Sequence, residues 1–582
     1  MPRRVGLIAL CVAGLLGTTA VIAESEKGDA GKVPADWKET EAGIPVTDPL
    51  TTAKCGGCHT PDAKGNLSRI SWVRATPEGW SQTIKRMVKL NGAVVSPEEA
   101  RSIVQYLGTF HGLAPEEAKP VMYFAEHRVQ DETIIPNEAV RGACASCHAF
   151  AQPMSSRRSH REWGLLQQMH MALYPQAERQ YNRPATGPLS PTDNPAPAAP
   201  GTKPPMVAEV ALEWLSKNAT LHTTEWEAWR PRIQAPTLAG QWLISGAMPG
   251  HGQFVGEMKV APKPGAPTEF VTTTTLRSLE TGKSVTRTGT GLVYGGYSWR
   301  GTSHGAAPGG GEETMRETLW FAPDRGNAVG RIYWGAYQEF GLDVTMVRET
   351  GIPKLAAVTP GAIKTGTQGA KVHVYGAGIP ADLKPQDLSF GAGVTVAAVD
   401  SITPSEAVIT VNVAPDAVGG QHDLALRGVP LEKALPVYAK VDYIKVTPET
   451  ALAHLGGLKY PKGYIQFEAI GYSAGADGKP NTADDFAIGP VDANFAMIEF
   501  PTTTYDDDTK FVGKIDSNGL FSPNVEGPDP ARRFMRNNYG EVWVTATSKT
   551  LMDREGKPLS GRAYLVTTVP LYKMWDQPEV SK

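Results

Sequence analysis

Two pentapeptides, Cys55-Gly56-Gly57-Cys58-His59 and Cys144-Ala145-Ser146-Cys147-His148, take four of the five cysteines in the chain. Cys-x-x-Cys-His is the attachment signature of c-type haem. Each thiol adds across a vinyl group of the porphyrin, and the adjacent histidine supplies an axial ligand to iron. The short spacing presents both thiols to one edge of the macrocycle while the imidazole reaches the metal. A redox dithiol would need a βαβ setting, and a zinc site would need two more ligands nearby; neither is present. The residues predict two covalently bound haem c groups. Cys55, Cys58, Cys144 and Cys147 are the attachment points, and His59 and His148 the proximal ligands.

The surrounding sequence is duplicated. Cys55–His59 is followed by Trp80-x6-Met87 and a helical stretch from Glu99 to Leu107. Cys144–His148 is followed by Trp163-x6-His170 and a stretch from Glu209 to Leu215. Each copy reads as a haem pentad, an amphipathic helix opened by Trp, and a closing helix ending aromatic-Leu, in the order of a small class I-type cytochrome c. Ser96-Pro97 with Glu98 and Glu99 is a helix start. Met87 and His170 share one position in the duplication, and both side chains ligate iron. They are the candidate distal ligands of the first and second haem. His111 is a rival at the first site, and Met154, His160, Met169 and Met171 at the second. A proline-rich stretch, 182–205, interrupts the second copy and cannot be helical.

Residues 1–23 read as a secretory signal: Arg3 and Arg4 precede an apolar run from Val5 to Leu16, and Val21-Ile22-Ala23 offers a cleavage site. Export and covalent haem place the protein in a bacterial periplasm or an equivalent compartment. Formal net charge is −3, and removing the signal lowers it to −5. There is no basic patch for nucleic acid and no apolar segment long enough to span a membrane. The length calls for roughly three to five domains.

Four units are expected after the signal. Residues 24–235 form an all-α dihaem cytochrome c domain, with repeats at about 24–126 and 127–235. All-β modules follow: an antiparallel barrel of about eight strands at 236–350, an immunoglobulin-like sandwich at 351–440 and a second, elaborated one at 441–582. His251 and His304 sit in Gly-rich loops and read as solvated. The Asp/Asn/Gly-rich loop 475–485 has the composition of a calcium loop without the spacing of an EF-hand, and reads as an acidic turn between strands.

This order of modules resembles the large, alpha subunit of quinohemoprotein amine dehydrogenase across essentially the whole mature chain. The resemblance implies a periplasmic heterotrimer with a β-propeller subunit and a small subunit carrying cysteine tryptophylquinone. It implies oxidative deamination of primary amines to aldehyde and ammonia. Electrons would leave the quinone through both haems to a soluble blue copper protein or cytochrome c. The quinone cannot sit on this chain, because haem attachment leaves no cysteine for its crosslink, and no catalytic residue is expected here. Two other functions stay open: a free-standing dihaem electron carrier with β binding domains, and a dihaem peroxidase, which would need an open sixth position on one iron.

Overall fold

The computed structural model describes residues 39–121, 135, 138–185, 204–457, 459–501 and 506–571. The signal segment, the middle of the proline-rich stretch and the expected boundary between repeats lie outside the described residues.

The haem region is built from helices α1 (Pro49–Cys55), α2 (Pro77–Asn91), α3 (Pro97–Phe110), α4 (Glu138–Cys144), α5 (His160–Leu173), α6 (Pro175–Tyr181) and α7 (Val207–Asn218). Local chemistry sets their starts. The Asp48 side chain accepts from Thr51 N, Thr76 from Gly79 N, and Ser159 from Glu162 N; Ser96 and Glu99 form a capping box. The expectation of an all-α region needs correction. Strands β1 (Val73–Ala75) and β2 (Ser156–Arg158) pair antiparallel, with Arg74 opposite Arg157.

That ribbon marks a local two-fold relation between the repeats. Thr76 N donates to Ser155 O, and Ser159 N to Trp72 O. Ala75 N donates to His111 O, and Arg158 N to Ala219 O. Trp80 Nε1 donates to His111 O and Trp163 Nε1 to Ala219 O, each at 2.9 Å. Each bond has its counterpart in the other copy, so the helix-opening tryptophans fasten the closing helices in the same way twice. Pairing the two three-residue segments satisfies backbone groups that neither repeat could satisfy alone.

One carboxylate holds the joint. Glu117 receives Arg74 through two bonds, at 2.7 and 3.0 Å, and lies 3.2 Å from Arg157 Nε. Burial alone would raise the Glu117 carboxyl; the two guanidiniums outweigh it and hold the group at about 2.

Eight antiparallel strands follow in simple up-and-down order: β3 (Gly240–Met248), β4 (Gly252–Lys263), β5 (Ala266–Ser278), β6 (Ser284–Tyr294), β7 (Ser298–Gly305), β8 (Thr314–Phe321), β9 (Asn327–Trp334) and β10 (Phe340–Arg348). β10 pairs with β3 and closes the barrel. Its interior is filled by Trp242, Phe270, Trp299, Phe321 and Met346 among others. Gly291 is required there, since a Cβ would lie 2.0 Å from the Trp299 ring. The barrel's outside packs on the haem region. Tyr297 Oη donates to Leu113 O, Trp320 Nε1 to Pro115 O, and fully buried Arg300 pairs with Glu78 in the first turn of α2.

In 351–440, a sheet of strands 354–359, 370–377, 406–413 and 394–402 shares one core with a sheet of 363–364, 429–438, 420–426 and 388–389. The short strand 363–364 runs parallel to 429–438. The last module repeats that device: 450–454 runs parallel to 558–568, in a four-stranded sheet set against strands 443–447, 468–473 and 486–490. In loop 475–485 the carboxylates are taken by the loop's own N–H groups. Asp484 accepts from Ala476 and Asp477, and Asp485 from Asn481 and Thr482.

Candidate haem sites

Both pentads stand at a helix C-terminus. α1 ends at Cys55, and the chain turns back so that Cys58 N and His59 N both donate to Cys55 O. α4 likewise ends at its pentad's first cysteine, Cys144. Cys55 and Cys144 are half-buried, whereas Cys58 and Cys147 are exposed. Burial pushes the Cys144 thiol up to about 12. Burial, then the Asp48 carboxylate and Cys58, push Cys55 up as well. A redox or zinc cysteine is normally depressed; burial shifts these two the opposite way.

The pentad imidazoles are oriented through one nitrogen. His59 Nδ1 lies 2.7 Å from Ser68 O and His148 Nδ1 lies 3.1 Å from Ala149 O. A carbonyl only accepts, so the proton sits on Nδ1 and the Nε2 lone pair is the one offered to a metal.

Met87 and His170 lie at equivalent places, two turns after Trp80 and Trp163. Met87 Sδ has Asn91 Nδ2 at 3.7 Å. Ile84, one turn before Met87, packs in one cluster with Cys55 and Val95, and Lys54 Nζ lies 3.5 Å from Val94 O. The end of α2 is thus tied to the first pentad. Val88, Leu90 and Val94 stand exposed there, Val94 by 85%.

At the second site His170 Nδ1 lies 2.8 Å from Leu166 O, which again leaves Nε2 for a metal. Tyr181 links this histidine to the pentad. Its ring centroid is 6.4 Å from that of His170, and its phenol is raised by burial and then by the Cys144 and Cys147 sulfurs. Gln180 Nε2 also reaches Ser146 Oγ at 3.4 Å. Two thiols with one oriented imidazole at each pentad fit a haem, and Met87 and His170 are the candidates for its other axial position.

The rivals are placed differently. His111 is 0% exposed, its ring enclosed by Trp80 and Tyr106, and burial lowers it to about 4. Its counterpart in the other repeat is Ala219. His160 is exposed at the start of α5 and bonds Ser216 Oγ. Met169 and Met171 flank His170, each turned about 100° away on the helix. Met154 packs between two core clusters. His304 bonds Thr314 Oγ1 on the barrel surface.

Sequence reasoning missed Ser68, Tyr181, Glu117 and a group of arginines, Arg69, Arg86 and Arg158, at the junction of the repeats. Only Arg157-Arg158, directly ahead of the second Trp helix, was a visible signal.

Together these features describe a multidomain, β-rich haem protein of the oxidoreductase and electron-transport class. Four family models match along the chain. They are "Quinohemoprotein amine dehydrogenase A, alpha subunit, haem binding" at residues 46–184, and the same enzyme's alpha subunit domain II at 235–349, domain III at 352–439 and domain IV at 444–580. The chain belongs to the family of quinohemoprotein amine dehydrogenase alpha subunits. No curated protein matches it significantly. Similar solved structures include a redesigned beta barrel (12% identity, 19% of this chain and 92% of that one, TM-score 0.17). Human protocadherin-24 EC1-2 is another (14% identity, 39% of this chain and 98% of that one, TM-score 0.15). Among the described residues no helix is long and apolar enough to cross a membrane.

Proposed function

We propose that this chain is the dihaem electron-transfer subunit of a periplasmic quinohemoprotein amine dehydrogenase. In this role Cys55 with Cys58, and Cys144 with Cys147, hold two haems through thioether bonds. Ser68 O and Ala149 O fix the proximal rings of His59 and His148, and Met87 and His170 approach from the distal helices. Bound haem supplies a one-electron ferric–ferrous couple, whose potential axial methionine generally raises. The two sites therefore differ in potential, and the chain carries electrons in a defined order. It takes them from a cysteine tryptophylquinone on a small partner subunit, where primary amines are oxidised to aldehyde and ammonia. It passes them to a soluble copper protein or cytochrome c. A β-propeller subunit completes the heterotrimer.

The observation that carries this is the repeated geometry: two pentads with Nδ1-anchored histidines, and two ligand-type side chains at one position of a duplicated helix. Haem staining of denaturing gels and pyridine haemochrome quantification test it. The wild-type chain should retain two haems, and Cys55→Ala with Cys58→Ala one. Retention of two by that variant, or of none, would contradict independent covalent sites.

A further inference from the structure

Between the two repeats, cations outnumber anions; Arg69 is exposed, and Arg86 and Arg158 are half-buried. Arg69 Nε donates to both Glu162 oxygens at 2.7 Å, and Arg161 Nη1 lies 3.4 Å from the same carboxylate, whose side chain is 1% exposed. Arg86 lies within electrostatic range of Arg69, and Arg158 within range of both. Neither Arg86 nor Arg158 pairs with a carboxylate among the described residues. Arg158 Nε is buried with no hydrogen-bond partner, while its guanidinium lies 5.5 Å from the centre of the Trp163 ring. Burial lowers both guanidiniums; the Glu162 carboxylate opposes this at Arg158 and Tyr174 at Arg86, while repulsion by Arg69 adds to it at each. Glu162 is thus the one carboxylate, among the described residues, shared by Arg69, Arg158 and Arg161, and crowded half-buried cations are costly unless a further negative group joins them.

The neighbours of these arginines identify that group. Arg69 follows Ser68, whose carbonyl orients His59, and holds φ at +70°. A side chain rarely adopts that backbone conformation unless its surroundings impose it. Arg86 precedes Met87 in α2. Tyr174, which lies within range of Arg86, packs its ring 6.0 Å from that of His170. The cluster therefore adjoins the proximal anchor and the distal candidate of the first site, and reaches the distal helix of the second.

We propose that Arg69, Arg86 and Arg158 form an oxyanion-binding site at the junction of the repeats, filled by a carboxylate of the haem held at Cys55 and Cys58. The planar, permanently charged guanidinium suits a carboxylate, which it can grip through two parallel bonds. The inference rests on the reading of Cys55–His59 as a haem site. A free oxyanion such as phosphate offers the same chemistry, and exchangeability separates the two sources.

The test is a spectroelectrochemical titration of the full-length holoprotein with Arg86→Gln and Arg158→Gln, and with Arg86→Lys and Arg158→Lys as charge-preserving controls. Loss of a cation favours the ferric state. The glutamine variants should therefore lower the potential of the centre that also responds to Met87→Ala, and the lysine variants should restore most of it. The near-infrared methionine band should persist, and the propionate bending mode in resonance Raman should shift in the glutamine variants. Inorganic phosphate at constant ionic strength should leave the wild-type potential unchanged. A phosphate-dependent potential that Arg158→Gln abolishes would overturn the haem carboxylate as occupant. Loss of the near-infrared band in the glutamine variants would show that the arginines only hold the helix. Unmoved potentials and an unmoved Raman mode would overturn the site. Absence of haem at Cys55 and Cys58 in the wild type would instead defeat the underlying reading.

Discussion

As the proposed distal ligands, Met87 and His170 would present different donors to iron from the same place in a duplicated helix, a thioether and an imidazole nitrogen. Methionine stabilises the ferrous state relative to a second histidine. Met87→Ala should therefore abolish the near-infrared band of ferric His/Met haem and lower that centre's potential, leaving the other wave in place. A surviving band would assign the ligand to another residue. His170→Ala should turn the second centre high-spin, read by electron paramagnetic resonance. These positions were legible in the sequence because a pentad and a Trp-x6 spacing are local patterns. Tyr181 was not: it meets His170 and Cys144 only because α6 folds back over the second pentad. Ser68 was equally invisible, since it acts through its backbone carbonyl, which every residue possesses.

Between elements, one buried carboxylate bridges an arginine from each repeat. Glu117 is held at about 2 against an ordinary 4.5 by Arg74 and Arg157. A depressed carboxyl stabilises the fold fully above about pH 4.5 and loses that contribution as the pH falls toward about 2. The contribution is on the order of 3 kcal/mol. Urea titrations should show stability falling through that window, and Glu117→Gln should remove most of the slope. At neutral pH the variant should lose about 3–5 kcal/mol, the cost of leaving buried arginines without their anion. A slope unchanged in the variant would place the pH dependence elsewhere. The alternation of strands and the Ser96 cap of α3 announced those elements in advance, whereas the Thr76 and Ser159 caps of α2 and α5 went unread. The β1–β2 ribbon escaped notice because three-residue strands carry no period, and its register is set by residues about 83 positions apart.

At the scale of the whole molecule, the barrel and haem region share a buried interface. It includes Trp226, Trp229, Tyr297 and Trp320, and is pinned by Arg300 and Glu78. Closure of eight strands was readable from hairpin spacing; the faces that would meet were not, since Glu78 and Arg300 are 222 residues apart. Glu78→Gln should leave Arg300 buried without its anion. We expect it to lower the midpoint of thermal unfolding for both regions together, measured by haem absorbance and far-ultraviolet circular dichroism. Separate transitions would show that the interface does not couple them. Under the proposed division of labour, this chain conducts electrons and a partner subunit performs amine chemistry. The most direct test of that division is anaerobic visible spectroscopy of the oxidised chain mixed with a primary amine, with and without the small quinone-bearing subunit. The chain alone should stay ferric, and the reconstituted complex should develop sharp ferrous bands. Amine-driven reduction of the lone chain would contradict the account.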